Sequence, residues 1–193
     1  PADGGAGGAG RFCFALLEYL PEVMDVRCVI PPHHANFRSR FPWVEFIICN
    51  ADDNAHLALH LAWCDCYVDP LNALRPTAIA PDVAAIGVIL DLQHMRMPWF
   101  FSASELNARR REYPYAVGRS NHLIAISHYE RENLKDFYDR DDVTVVHLSG
   151  FMAEAAGDLE AKGHKPGVLP TKTPERYLVY PAVPWPHKNH ETL

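Results

Sequence analysis

Apolar positions along the chain change their period several times, and each change marks an element. Over residues 10–23 they recur at helical spacing, at Phe12, Leu16, Leu17 and Leu20. The glycine-rich stretch before them cannot itself be helix, so a loop feeds this helix. Two short apolar runs follow and read as strands. They are Val26-Arg27-Cys28-Val29-Ile30, stopped by Pro31-Pro32, and Val44-Glu45-Phe46-Ile47-Ile48-Cys49. Residues 52–63 are rich in Ala and Leu and read as helix, with Asp52 or Asp53 available as cap.

The central run Val83-Ala84-Ala85-Ile86-Gly87-Val88-Ile89-Leu90 is apolar on both faces, which suits an interior parallel strand, and Asp91 falls at its carboxyl end. Ser102-Ala103-Ser104-Glu105 has the spacing in which hydroxyl and carboxylate satisfy each other's backbone donors, so a long helix should run from there to about Gly118. The same device recurs at Ser127-His128-Tyr129-Glu130. Between these helices lies the strand-like run His122-Leu123-Ile124-Ala125-Ile126, and after the second comes Val143-Thr144-Val145-Val146-His147-Leu148. Such alternation predicts an α/β fold with a Rossmann-like, doubly wound parallel sheet.

Residues 151–175 shift to Ala, Gly, Lys, Pro and Thr and read as a linker. The expected organisation is a Rossmann-like domain over residues 1–150, the linker, and the opening of a second domain over residues 176–193. That last segment, through Tyr180-Pro181-Ala182-Val183-Pro184-Trp185-Pro186-His187-Lys188-Asn189-His190, reads as a strand running into a helix start. A glycine loop in an α/β sheet normally follows a strand, yet only Pro1-Ala2-Asp3 precede Gly4. The first domain is therefore expected to lack its first strand, and the chain to be cut at both ends.

Composition narrows the partners more than the fold. With 48% hydrophobic and 22% charged residues the chain is globular, and a net charge of -6 gives no reason to expect nucleic acid. No apolar run approaches about 18 residues and no basic-then-apolar start is visible, so neither a spanning helix nor a signal peptide is expected. The five cysteines are odd in number and form no C-x-x-C pair, which suits reduced thiols in the cytoplasm. Cys28 and Cys49, inside strands, read as small hydrophobes.

Five groups of residues are candidates for chemistry. Gly5-Ala6-Gly7-Gly8-Ala9-Gly10 satisfies G-x-G-x-x-G and admits three readings: a dinucleotide loop, a flexible linker, or a loop facing phosphates or sugar. The dinucleotide reading wants an acid about 20 positions on, where the chain has Pro31-Pro32-His33-His34. Asp91-Leu92-Gln93-His94 sets an acid, an amide and an imidazole just beyond the central strand, where α/β sheets bind ligands. His56, His60 and Cys64 share a helix face at zinc-like spacing, but no fourth ligand is indicated, and they read as a packing or solvent-edge stripe. Arg109-Arg110-Arg111, with Arg119, reads as a solvated face, its alternative being contact with anionic headgroups. Lys188 sits where a strand gives way to a helix start, so its ammonium and free backbone donors would converge on one anion, such as a diphosphate.

Taken in order, four segments resemble the bacterial family 4 glycosyltransferases, retaining enzymes with two Rossmann-like domains in the GT-B arrangement. Gly7-Gly8-Ala9-Gly10-Arg11 resembles the family's Gly-Gly-x-Gly-Arg helix opening, and Asp91-Leu92-Gln93-His94 with Pro98 and Phe101 its His-Asp-Leu-Gln-His block. His122-Leu123-Ile124-Ala125-Ile126-Ser127 is similar to its strand ending in serine, and residues 180–190 to its Tyr-Pro-Ala…Trp-Pro-His-Lys-Asn-His signature. The last segment is the most specific of the four. Two departures stand out: Leu90 occupies the place of the family's histidine before the aspartate, and Ala182 and Val183 the zone where many relatives carry an arginine.

The resemblance implies that this is the N-terminal half of a GT-B enzyme that moves a sugar from a nucleotide-sugar donor to a glycan or lipid-linked acceptor. Carried over by position, Asp91 and His94 are the catalytic, acceptor-side residues on the lip of the cleft. Lys188, Gly8, Gly10 and Ser127 contact the donor, with Lys188 on its pyrophosphate. No cofactor or metal is implied, the nucleotide sugar being substrate. The setting implied is the cytoplasm, compatible with peripheral association at the inner membrane surface. Residues 31–42 and 69–81 are candidate acceptor loops. The 193 residues alone are expected to be inactive. The alternative function is a nucleotide-binding oxidoreductase or sensor domain using Gly5 to Gly10.

Overall fold

Helix and strand alternate because each apolar strand must cover both faces, and a parallel neighbour requires a crossover long enough to hold a helix. The computed structural model describes residues 8–50, 53–72 and 82–148, with Arg176, Lys188, Asn189 and Thr192. The chain divides into two compact units, Pro1–His147 and Leu148–Leu193. All the strands and longer helices among the described residues belong to the first unit.

Helix α1 (Gly8–Tyr19) runs into a 3-10 turn, Leu20–Glu22, and strand β1 (Arg27–Ile30) follows. A 3-10 segment, Pro32–Ser39, then leads to β2 (Glu45–Ile48), helix α2 (Asn54–Leu61) and β3 (Cys66–Asp69). Beyond residue 81 come β4 (Ala84–Ile89), the single turn α3 (Gln93–Arg96), α4 (Ala103–Arg119), β5 (His122–Ala125), α5 (His128–Tyr138) and β6 (Val143–Val145). No helix among the described residues is long and apolar enough to cross a membrane.

Every strand pairing is parallel, so the fold is α/β. The single continuous sheet expected from the sequence is instead two sheets among the described residues: β1-β2, and β3-β4-β5-β6 in that order. The inner edges of β1 and β3 have no strand paired to them there. Helix α1 packs Phe14 and Leu17 on the smaller sheet, and its Cys13 thiol is pushed up to about 11 by burial and then by the charge of Asp69. Against expectation, α1 starts inside the glycine stretch, at Gly8. The first-turn N–H groups have no helical partner anyway, so glycine costs least there.

Side chains alternate between the two faces of the small sheet. Ile30 and Phe46 pack with Phe41 and Val44 against Phe14 and Leu17 of α1, while Ile47 and Cys49 pack with Leu57 of α2. The larger sheet centres on Ile89, Leu92, Leu123, Ala125 and Leu134, all with no exposed surface, and Tyr113 and Val117 of α4 close over them. Burying each such large aliphatic side chain contributes about 1.5–3 kcal/mol.

Caps fix the helix starts as the sequence predicts. Ser102 and Glu105 form the full reciprocal box at α4. At α5 only half of it forms: Ser127 accepts from the Glu130 N–H, while the Glu130 carboxylate turns inward to Asn133. Asp53 caps α2 through the His56 N–H. Glycine is required at Gly87 in the middle of β4, where a Cβ would lie 2.5 Å from Ser120 Oγ and 3.2 Å from Leu123 Cδ2.

Candidate functional site

The carboxyl end of β4 is where sequence and geometry converge. Leu90 leaves the strand with its N–H held by Asn72 Oδ1 at 2.6 Å, and Asn72 adopts a left-handed backbone (φ 63°) to reach it. Asp91 comes next, half-buried. Its Oδ1 accepts from the Gln93 N–H at 3.3 Å, which starts the α3 turn, and from Arg109 Nη1 at 3.3 Å. Arg109 donates from that same nitrogen to Tyr113 Oη at 3.0 Å and lies over the Phe101 ring at 4.6 Å. The guanidinium is thereby held in one place on α4, facing Asp91.

His94 is turned inward, not toward the lip of the cleft as the resemblance implied. It is 3% exposed, its ring meets that of Tyr113 edge-on at 4.4 Å, and neither ring nitrogen has a hydrogen-bond partner among the described residues. Burial first, then the positive charge of Arg109, push its pKa down to about 4, with Asp91 opposing. At neutral pH it is an uncharged imidazole with its polar atoms unspent.

Helix α5 supports this turn from below. Arg96 Nε donates to Asn133 Oδ1 at 3.0 Å and its Nη2 to Asp136 Oδ2 at 2.7 Å, tying α3 to α5. Asn133 in turn donates to the buried Glu130 carboxylate at 3.2 Å. Burial raises the Glu130 pKa, the Asn133 hydrogen bond and the Leu92 backbone hydrogen bond pull it down, and Asp91 pushes it up. So α3, α4 and α5 together set the position of Asp91 and His94.

The remaining sequence candidates fall as follows. Ser127 is half-buried at the end of β5 and spends its hydroxyl on capping α5. Gly8 opens α1 and Gly10 lies in its first turn, whereas Gly5 and Gly7 are outside the described residues. Lys188 is exposed in a 3-10 turn. Asn189 follows in the left-handed region (φ 52°), its Oδ1 accepting from Thr192 Oγ1 at 2.8 Å. The strand expected before Lys188, the linker at 151–175 and most of the candidate acceptor loop at 69–81 lie outside the described residues. The other candidate loop, 31–42, is mostly 3-10 helix, with His34 stacked on Phe37 and Phe37 meeting Phe14 edge-on.

Arg109, Tyr113, Glu130 and Asn133 were not singled out by the sequence as parts of this site. Arg109 was read with its neighbours as a solvated face; Arg110, Arg111 and Arg119 are indeed exposed, while Arg109 is not. The available signal was the spacing from Arg109 to Tyr113, one helical turn, which puts both on the stripe facing the sheet. A shallow open pocket of about 230 Å³ lies elsewhere, at the amino ends of β1 and β2. There Arg27 is already paired with Glu45 and stacked on Trp63.

No protein family, curated protein or solved structure matches the chain. The site therefore rests on its own chemistry: a fixed carboxylate, a fixed guanidinium and a neutral buried imidazole at the carboxyl end of a parallel strand.

Proposed function

We propose that the chain is the acceptor-side half of a retaining, metal-independent glycosyltransferase of the GT-B arrangement. The reaction moves a sugar from a nucleotide-sugar donor to a glycan or lipid-linked acceptor. The observation that carries the reading is Asp91: an acid in the Asp-Leu-Gln-His block, at the carboxyl end of an interior parallel strand, where such sheets take ligands. Its Oδ1 is committed to Arg109 and the Gln93 N–H, which fixes the carboxylate and leaves Oδ2 for an acceptor hydroxyl.

In this reading the acceptor oxygen bonds to the sugar carbon as the bond to the diphosphate breaks. The hydroxyl proton goes to Asp91, and the diphosphate leaves with the electron pair. Arg109 pairs with Asp91 and holds its carboxylate in one orientation. His94, buried behind Asp91 in the same turn, packs on Tyr113 and helps position the turn that carries the carboxylate. Lys188, exposed in the second unit, is assigned by the resemblance to the donor diphosphate, whose developing negative charge a lysine would offset, and Gly8 and Gly10 are assigned by it to the donor side.

The division of labour is testable on the 193-residue chain itself. Calorimetric titration with nucleotide sugars should show no tight binding, because this reading gives the 193 residues few donor contacts, chiefly Lys188. Submicromolar binding would contradict it.

A further inference from the structure

We propose that Cys49, Asp53, His56 and His60 form a structural zinc site that ties the carboxyl end of β2 to the first two turns of α2. One ligand atom from each of Cys49, Asp53 and His56 lies within 4.8 Å of the others. Tetrahedral zinc, with bonds of about 2.0–2.3 Å, wants its ligands about 3.5 Å apart, so the three close on an ion by small side-chain movements. The backbone already aims them. Cys49 leaves β2 with its N–H on the Ile30 carbonyl at 3.0 Å, and the thiol is buried beside Leu57 of α2. Asp53 spends Oδ1 on the His56 N–H at 3.0 Å, which fixes its carboxylate, while Oδ2 is 4.0 Å from His56 Nδ1.

A fourth donor comes from helical register. His60 follows His56 by one turn and their rings lie 4.8 Å apart, so a rotation of the His60 side chain brings it to the same ion. The pattern is C-x3-D-x2-H-x3-H, different from the His56, His60, Cys64 stripe that spacing alone suggested. One thiolate and two imidazoles select zinc or a similar borderline metal over magnesium or calcium, which take oxygen ligands. On binding, the Cys49 thiol gives up its proton to solvent as the sulfur–metal bond forms. This site is independent of the glycosyltransferase reading and takes no part in sugar transfer.

Cobalt(II) titration of the metal-free, reduced 193-residue chain tests it. The expected result is one equivalent bound, with a thiolate-to-cobalt charge-transfer band and strong tetrahedral d–d absorption, both displaced by zinc. The C49S variant should lose the charge-transfer band. Because that variant removes a buried thiol and could fail to fold, H56N and H60Q serve beside it: both should retain the band at reduced affinity and lose tetrahedral intensity. The C64S/C66S and H33A/H34A variants should behave as wild type. A charge-transfer band that survives C49S or disappears in C64S/C66S, or cobalt spectra without a thiolate band in the parent chain, would overturn the proposal.

Discussion

Arg109 and Asp91 face each other at the carboxyl edge of β4, Nη1 to Oδ1 3.3 Å, with side chains about one-third exposed (30% and 34%). The pair is worth little as a surface salt bridge. Its importance is positional, because the same guanidinium holds Tyr113, and Tyr113 forms the wall against which His94 lies.

Arg109 should therefore add to the effect of burial on His94 protonation. In an NMR titration of wild-type protein the His94 imidazole should stay neutral down to about pH 4. In R109Q its titration should move up, yet stay below the ordinary histidine range because burial is the larger cause. A His94 that titrates normally in the wild type would contradict the site as described.

The same shift makes stability depend on pH. His94 takes up a proton near 6.5 when unfolded but only near 4 when folded, so between those values the unfolded state binds more protons. Stability should fall as pH drops through that window, by about 3 kcal/mol, and level off below it as far as this group is concerned. H94Q should flatten the slope in denaturant titrations run from pH 7 to pH 4.

Gly87 is constrained by packing, not by turn geometry. G87A drives a methyl group to 2.5 Å from Ser120 Oγ, a hydroxyl anchored on the Ala116 carbonyl at 2.7 Å. The expected loss is about 1–3 kcal/mol in chemical denaturation. Combining G87A with S120A, which removes the obstructing oxygen, should cost less than the sum of the two single changes.

Asn121 closes the start of the β4–β5 pair, with its N–H on the Ala85 carbonyl and its Oδ1 accepting the Ala85 N–H, both at 2.8 Å. N121A leaves that N–H without a partner beside the buried Ala85 and should destabilise by about 1–3 kcal/mol. N121D, which keeps an acceptor, should stay close to wild type. Thermal melts at neutral pH distinguish the two.

The elements were legible in the sequence wherever a strong period or a capping pair marked them. The apolar run ending at Leu90, the Ser102–Glu105 box and the Ser127 cap each appear where the sequence put them. Strand β3 was not legible, because Cys66-Tyr67-Val68-Asp69 is too short and too polar at its ends to stand out from a loop. The split into two sheets was hidden as well, since strand order depends on which edges meet and leaves no mark on periodicity. For the site, the acid at the strand end was readable and its surroundings were not. Only the one-turn spacing to Tyr113 hints that Arg109 differs from Arg110, and nothing local shows the Glu130 carboxylate turning inward; both follow from which helix face meets the sheet. The Cys49 cluster was missed for the same reason, because one ligand comes from a strand and the others from a helix.

The most direct test of the glycosyltransferase reading is transfer of labelled sugar from a panel of nucleotide sugars to lipid and glycan acceptors by the complete gene product. The account predicts transfer with retention of anomeric configuration, without added divalent cation, and severe loss of turnover in D91N and in K188A. No transfer with any donor, or transfer that both variants sustain at the wild-type rate, would contradict it.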